Sequence, residues 1–305
     1  MLTLTRPQAY QTIGVISDVH SNYIALEAVL AEMERRRIEA LLFLGDYITD
    51  GPSPQRTLSL LREAADRYPS FFIRGNREQY LLHHAQHPEE VWESGTSQGA
   101  LLYTFQRLTP EDLLWFQRMP LCHSFTDGIV VCHGSPAHIS ELLSVDGSNS
   151  ESNEQTQQWI RQLQHPLLLC GHTHRQGLTQ NNGKTIVGAG SVGLPHNHDA
   201  LARAALLHRT KDGGFEPELL AVPYDTEAMI QAYHQSELME MSLYWTLANC
   251  QFIRTGHNYT WRLIRKVTQL ASEEYGSSID QTKTFPLESI PSVFWEEACR
   301  QIGLL

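Results

Sequence analysis

Lysine is scarce in this chain of 305 residues: only 4 of its 23 basic residues are Lys, against 34 Asp and Glu, and the formal net charge is −11. That shortage of clustered positive charge excludes a general binder of polymeric nucleic acid, which must neutralise phosphates along a backbone. It equally excludes a polybasic membrane-surface protein. No apolar run approaches the roughly 18 residues of a membrane span. Met1–Gln11 contains Arg6 and Pro7 in place of a signal-peptide core. The five cysteines are odd in number and form no CxxC pair, and Cys132 and Cys170 sit inside apolar runs. Buried free thiols in a reducing, cytoplasmic compartment are therefore expected. With 41% apolar and 19% charged residues, disorder and coiled coil are excluded. No GxSxG elbow supports a serine hydrolase. What the chain has in surplus is histidine, 15 residues.

Short apolar runs alternate with amphipathic segments over the first part of the chain. Thr12–Ser17, Ala40–Leu44 and Ser70–Ile73 read as buried strands, with helices over Ala25–Met33 and Arg56–Ala65 between them. From about Leu121 strands come closer together: Leu121–Phe125, Ile129–Cys132, Leu167–Cys170, Thr185–Val187, Ala202–His208 and Leu219–Val222. This pattern predicts an α/β layer architecture in which the later strands build a second sheet on the first. Asp146–Glu154 reads as a polar loop. After Pro223 the pattern becomes helical: Asp225 is a candidate cap, and Leu263, Ile264, Val267, Leu270 and Ala271 repeat as an amphipathic stripe. The aromatics Trp245, Phe252, Tyr259, Trp261, Phe294 and Trp295 read as a packed core or docking face.

Polar residues capable of chemistry stand just after the strands, where an open α/β sheet places its ligands. Asp18-Val19-His20, Gly45-Asp46, Gly75-Asn76, His133-Gly134 and Gly171-His172-Thr173-His174 follow five apolar runs in order. Residues two apart in an extended segment project to one side. Asp18 can therefore act with His20, and His172 with His174, on a single object. One DxH or HxH is a weak signal, whereas five such motifs in sequence are a strong one.

These motifs resemble the ordered signature of the calcineurin-like metallophosphoesterase superfamily, DxH, GDxxxxGP, GN[HCR][DE], HG and GHTH. Here they are Asp18–His20, Gly45–Pro52, Gly75–Glu78, His133–Gly134 and Gly171–His174. HGSP at His133, GSVGLP at Gly190 and the Ala100 stretch resemble the small bacterial and archaeal branch. The resemblance covers roughly residues 12–222, so residues 1–222 are expected to form the phosphoesterase domain and 223–305 a helical extension. It implies an α-β-β-α two-sheet sandwich. It also implies two divalent ions: Asp18, His20, Asp46 and His174 at one, and Asp46, Asn76, His133 and His172 at the other, with Asp46 as the bridge. Oxygen and imidazole donors without thiolate suit Mn²⁺ first, then Fe, Zn²⁺ or Mg²⁺. On that resemblance, such ions would acidify a water for in-line attack on phosphorus.

Two departures from the family pattern bear on the substrate. Many relatives carry His after the Gly-Asn pair, as a proton donor to the leaving group; here it is Arg77, which stays charged and can hold phosphate oxygens or pair with an acid. Arg77 as the catalytic group favours leaving groups needing little protonation, hence small nucleotide-type substrates such as dinucleoside polyphosphates. Protein phosphatases of the superfamily place an arginine where this chain has Asp50, which argues against a dedicated phosphoserine phosphatase. The competing expectations are a protein phosphatase-like phosphomonoesterase and a non-catalytic scaffold docking a protein partner through its C-terminal helices. A scaffold would be expected to lose ligands, and this chain keeps all seven. His196-Asn197-His198-Asp199, soon after GSVGLP, is either a solvated rim loop or a place for a further cation.

Overall fold

The computed structural model describes residues 3–145, 150–275 and 290–305. Strand β1 (Thr12–Ile16) forms because both of its faces are covered. Ile13 and Val15 join one core and Ile16 joins another on the opposite face. Gly14 lies where a Cβ would meet Met33 Sδ at 2.7 Å, so helix α1 (Tyr23–Arg35) packs directly on the strand. The same alternation recurs in β2 (Ala40–Phe43), with Ala40 and Leu42 on one face and Leu41 and Phe43 on the other. Helix α2 (Pro54–Arg67) leads to β3 (Ser70–Phe72), followed by α3 (Asn76–Gln86), α4 (Ser97–Phe105) and α5 (Pro110–Arg118). Then come β4 (Cys122–Ser124), β5 (Ile129–Cys132), α6 (Ser150–Gln162) and β6 (Leu167–Cys170). A hairpin, β7 (Gln176–Asn181) and β8 (Lys184–Ala189), precedes β9 (Ala202–Arg209) and β10 (Phe215–Val222).

Two five-stranded mixed sheets result, ordered β10-β9-β1-β2-β3 and β4-β5-β6-β8-β7. Their facing sides share one core. Val15, Leu42, Ala205 and Leu207 of the first sheet meet Ile129, Val131, Leu169 and Val187 of the second. Helices α1, α2, α3 and α5 contribute to the outer core of the first sheet, and α6 to that of the second. The expected α-β-β-α sandwich is present.

The assignment of every late strand to the second sheet is corrected. Strand β9 pairs antiparallel with β1, Thr12 opposite His208 and Val15 opposite Ala205, and carries β10 with it into the first sheet. Ala202–Leu207 is buried on both faces, which requires a central position between two strands. Strand β7 was not foreseen, because Gln176–Asn181 contains one large apolar residue and forms an edge. Of the polar loop expected at Asp146–Glu154, residues 146–149 lie outside the described residues, and the rest begins α6.

The C-terminal part is helical, as expected: α7 (Thr226–His234), α8 (Leu238–Met241), α9 (Leu243–Thr255), α10 (Tyr259–Tyr275) and α11 (Ser292–Ile302). Asp225 caps α7 through Oδ1, which accepts the Ala228 N–H at 2.9 Å. Leu263, Val267 and Ala271 of α10 are buried in a separate core with Trp295 and Phe252, whereas Trp261 is exposed. This core also takes in Ala100 and Tyr103 of α4. Gly95 donates its N–H to Met241 O, and Ser242 Oγ donates to Thr96 O, each at 2.7 Å. Among the described residues no helix is long and apolar enough to cross a membrane.

Candidate metal centre

The parallel strands β1, β2, β3, β5 and β6 deliver their next residues to one place between the sheets. Asp18 and His20 follow β1, Asp46 follows β2, Asn76 opens α3 after β3, His133 follows β5, and His172 and His174 follow β6. Asp18, His20, Asp46, His172 and His174 all have positive φ, between 49° and 64°. Such backbone costs on the order of 1–3 kcal/mol per residue and collects where a site needs its side chains aimed. Gly171 lets two of these turns meet: a Cβ there would overlap Ser17 Oγ and lie 2.5 Å from Asp18 Oδ2.

All seven residues expected as ligands are brought together. Asp18, His20 and His174 form one group, and Asp46, His133 and His172 a second. Asn76 Oδ1 adds to the second, 3.1 Å from His133 Nε2. Asp46 connects the groups: its Oδ2 is 3.2 Å from His133 Nε2 and 3.9 Å from His20 Nε2. Its other oxygen accepts the Arg77 backbone N–H at 2.8 Å, which leaves Oδ2 facing both clusters. Asp18 is held in the same manner, with Oδ2 taking the Ser17 hydroxyl at 2.5 Å and the His172 N–H at 3.1 Å. Its Oδ1 lies 3.3 Å from His174 Nε2.

The outer hydrogen bonds of the imidazoles test whether the donor set suits cations. His133 Nδ1 donates to Leu44 O at 2.7 Å, His174 Nδ1 to Leu194 O at 2.8 Å, and His20 Nδ1 to Asp50 Oδ2 at 3.0 Å. His172 uses its other nitrogen, Nε2, toward Ser140 O at 3.1 Å. Each outer bond holds its ring with the other nitrogen facing inward, as outer partners of metal-bound histidines do. His20 Nε2 and His174 Nε2 lie 3.0 Å apart, close enough to bind one ion together or to share a proton. Among the described residues the grouped donor atoms are carboxylate oxygen and imidazole nitrogen, so they fit divalent ions.

The buried carboxylates dominate the electrostatics of the site. Burial works against a charged imidazole, yet Asp18 and Asp50 raise His20 to about 9, and Asp46 and Asp18 raise His133 to about 10. Burial and the His133 charge push His172 down to about 4. Burial alone would lift the Asp46 carboxyl, but His133 draws it down to about 2. The buried carboxylates thus demand positive charge at their centre.

Arg77 and Asp50 form the layer behind the ligands. Asp50, 1% exposed, accepts His20 Nδ1–H and lies 3.1 Å from Arg77 Nη2 through the same Oδ2. Glu78, the neighbour of Arg77, is occupied elsewhere: its carboxylate accepts N–H groups of Gly75, Asp46 and Tyr47 at 2.8–3.0 Å and ties the loops after β2 and β3 together. The sequence reading missed a contribution from the far end of the chain. Trp245, Asn249 and Phe252 lie on one stripe of α9. Trp245 Nε1 donates to Asp50 Oδ1 at 2.8 Å, and the Phe252 ring stacks on His174 with centroids 6.2 Å apart. The helix spacing was legible, but nothing local marked which neighbour it would meet. At the rim, the His196 ring stands edge-on to Phe252, and His198 Nδ1 is 3.0 Å from His257 Nδ1.

Fold and site together define an α/β two-sheet hydrolase with a joined pair of carboxylate–imidazole clusters. The chain belongs to the calcineurin-like phosphoesterase family, whose model matches residues 11–187, and is accordingly a phosphoric ester hydrolase. It is similar to MJ0912 of Methanocaldococcus jannaschii, 24% identical over 247 residues, which span 75% of this chain and 94% of that one. Among solved structures, a metallophosphoesterase from Sphaerobacter thermophilus superposes with a TM-score of 0.62 at 22% identity, over 79% of this chain and 99% of that one. The protein PH1004 of Pyrococcus horikoshii OT3 superposes with a TM-score of 0.67 at 18% identity, over 81% and 99%. At these identities the solved structures speak for the fold.

Proposed function

We propose that this protein hydrolyses phosphodiester or phosphoanhydride bonds of small nucleotide-type substrates at two divalent ions, Mn²⁺ by preference. Asp18, His20, Asp46 and His174 would hold one ion, and Asp46, Asn76, His133 and His172 the other. The observation that carries this reading is Asp46 Oδ2, 3.2 Å from His133 Nε2 and 3.9 Å from His20 Nε2, while its partner oxygen is fixed by the Arg77 N–H. Bound ions would supply Lewis acidity to phosphoryl oxygens and an acidified water. The chain's residues supply the rest. Leu44, Leu194, Asp50 and Ser140 hold the imidazoles in their tautomers, and Glu78 keeps Asp46 and Asn76 in register. Arg77 keeps its proton, since Asp50 and Asp46 outweigh its burial, and its remaining N–H groups supply charge to a departing phosphate. Five unpaired cysteines agree with a cytoplasmic location.

The test is an Mn²⁺-supplemented screen of bis-p-nitrophenyl phosphate, nucleotides, dinucleoside polyphosphates, cyclic dinucleotides and phosphopeptides, repeated on Asp46→Asn. Nucleotide or anhydride turnover that falls at least 100-fold in the variant is expected. Purified protein that takes up no metal and stays inactive with Mn²⁺ would leave a scaffold role in its place. Turnover confined to phosphopeptides would replace the nucleotide reading with the phosphomonoesterase one.

A further inference from the structure

The segment Thr49-Asp50 is held in a backbone conformation that its residues disfavour: φ is +80° at Thr49 and +63° at Asp50. A β-branched residue with positive φ is a genuine outlier, and such geometry persists only where surrounding contacts impose it. Two of those contacts come from α9, about 200 residues along the chain. Trp245 Nε1–H donates to Asp50 Oδ1 at 2.8 Å, and Asn249 Nδ2 donates to Asp50 O at 3.3 Å. On the other side of the same carboxylate, Oδ2 receives His20 Nδ1–H at 3.0 Å, Thr49 Oγ1–H at 3.0 Å and the Arg77 guanidinium at 3.1 Å. Asp50 is 1% exposed and Trp245 6%, so water cannot replace a lost donor freely. An indole is also the side chain able to combine one donor with a wide apolar body at the edge of a core.

We propose that Trp245 is a positioning residue of the metal centre. It fixes the Asp50 carboxylate, which in turn orients His20 toward the first ion and parks Arg77 beside it. The C-terminal helices are then part of the active site and not an appendage to it. This rests on the two-ion reading above. Without the indole N–H, Asp50 keeps its charge but loses one of its anchors, and the His20 lone pair is no longer aimed by a fixed partner. Changing an outer partner of a metal-bound histidine typically weakens the metal about 10- to 100-fold.

The experiment is Mn²⁺ titration by calorimetry on the full chain, with the visible spectrum of the Co²⁺ form as a second readout. It compares wild type, Trp245→Phe, Asp50→Asn, the double variant and, as a control, Trp261→Phe, which alters an exposed ring on α10. In Trp245→Phe one of two binding steps should weaken about tenfold while the other holds, with an altered Co²⁺ spectrum and kcat falling more than KM rises. The double variant should be no worse than Asp50→Asn alone, because the indole acts through that carboxylate. Melting in EDTA reports folding separately. Unchanged Mn²⁺ affinity and spectrum in a folded Trp245→Phe overturn the proposal, as does full additivity in the double variant. Should Trp245→Phe not fold, Asn249→Ala removes the other α9 bond to Asp50, and unchanged Mn²⁺ binding in it counts against the coupling. A wild-type chain that binds no Mn²⁺ overturns the two-ion reading and this inference with it.

Discussion

Arg77 is the residue on which the proposed substrate choice turns. Its guanidinium has five N–H donors in a fork, of which one nitrogen is committed to Asp50 at 3.1 Å, and its side chain is 23% exposed. It can therefore meet a phosphate, but it cannot hand over a proton near neutral pH. A leaving group that departs as a stabilised phosphate needs no such proton, whereas an alkoxide does. The wild-type rate should fall steeply as leaving-group pKa rises across a series of aryl and alkyl phosphodiesters. In Arg77→His that dependence should flatten, since a positioned imidazole can contribute on the order of 100-fold as a general acid. A wild type that cleaves poor and good leaving groups equally fast would sink the assignment. At this scale the site was largely legible: each ligand stands one to four residues beyond an apolar strand, which a linear pattern can show. Asp50 was read only for the arginine it replaces. Its service to His20, Arg77 and Trp245 depends on three contacts distant in sequence, which no local pattern encodes.

Among the elements, α5 shows how a cap can also join helices. Thr109 and Asp112 form a reciprocal capping box, Thr109 Oγ1 accepting from the Asp112 N–H at 3.2 Å and Asp112 Oδ2 from the Thr109 N–H at 2.9 Å. Asp112 is 1% exposed and also receives Gln55 Nε2 at 3.0 Å and the Arg62 guanidinium, both from α2. Asp112→Ala should cost about 2–3 kcal/mol, combining a lost cap with buried donors left unpaired. Burial would raise this carboxyl, but Arg62 and Thr109 outweigh it and hold it below the ordinary carboxylate value. A depressed pKa in the folded state gives stability that is complete above the unfolded value of about 3.9 and is lost as pH falls through the lower folded value. Urea midpoints of wild type and Asp112→Asn should thus differ clearly at pH 7 and converge as pH drops below about 4. A gap that stays constant over that range would mean the carboxylate charge is not what matters. Strand partners were less legible than strands. Short apolar runs announced β9 and β10, but nothing in their composition distinguishes a neighbour of β1 from a neighbour of β8. The β7–β8 hairpin does carry a local signal. Asn182-Gly183 take φ +49° and +73°, the two positive values of a type I′ turn.

For the molecule as a whole, the opening charge arithmetic acquires a location. Asp18, Asp46 and Asp50 are all at most 2% exposed and stand in or just behind the two ligand clusters, within a chain of formal charge −11. Three buried carboxylates beside one cationic side chain and a few imidazoles form an unbalanced interior, because desolvated like charges are poorly screened. Two divalent ions would bring the total to −7 and place the added charge where an anionic substrate must arrive. On the two-ion reading, folding and metal loading are coupled. At Mn²⁺ concentrations about 100 times its Kd, each site adds roughly 2.7 kcal/mol to the folded state, so the melting temperature should rise by several degrees over that in EDTA. Asp46→Asn separates this effect from ordinary packing. It removes the group shared by both clusters while preserving the shape of the side chain, so most of the Mn²⁺-dependent rise should vanish and melting in EDTA should stay near that of wild type. Identical melting with EDTA and with Mn²⁺ in the wild type would show that the carboxylates are balanced by protons on His20 and His133 instead of by metal. The acidic composition that excludes a nucleic-acid binder is, at this one point between the sheets, the means of gathering the positive charge a phosphate requires.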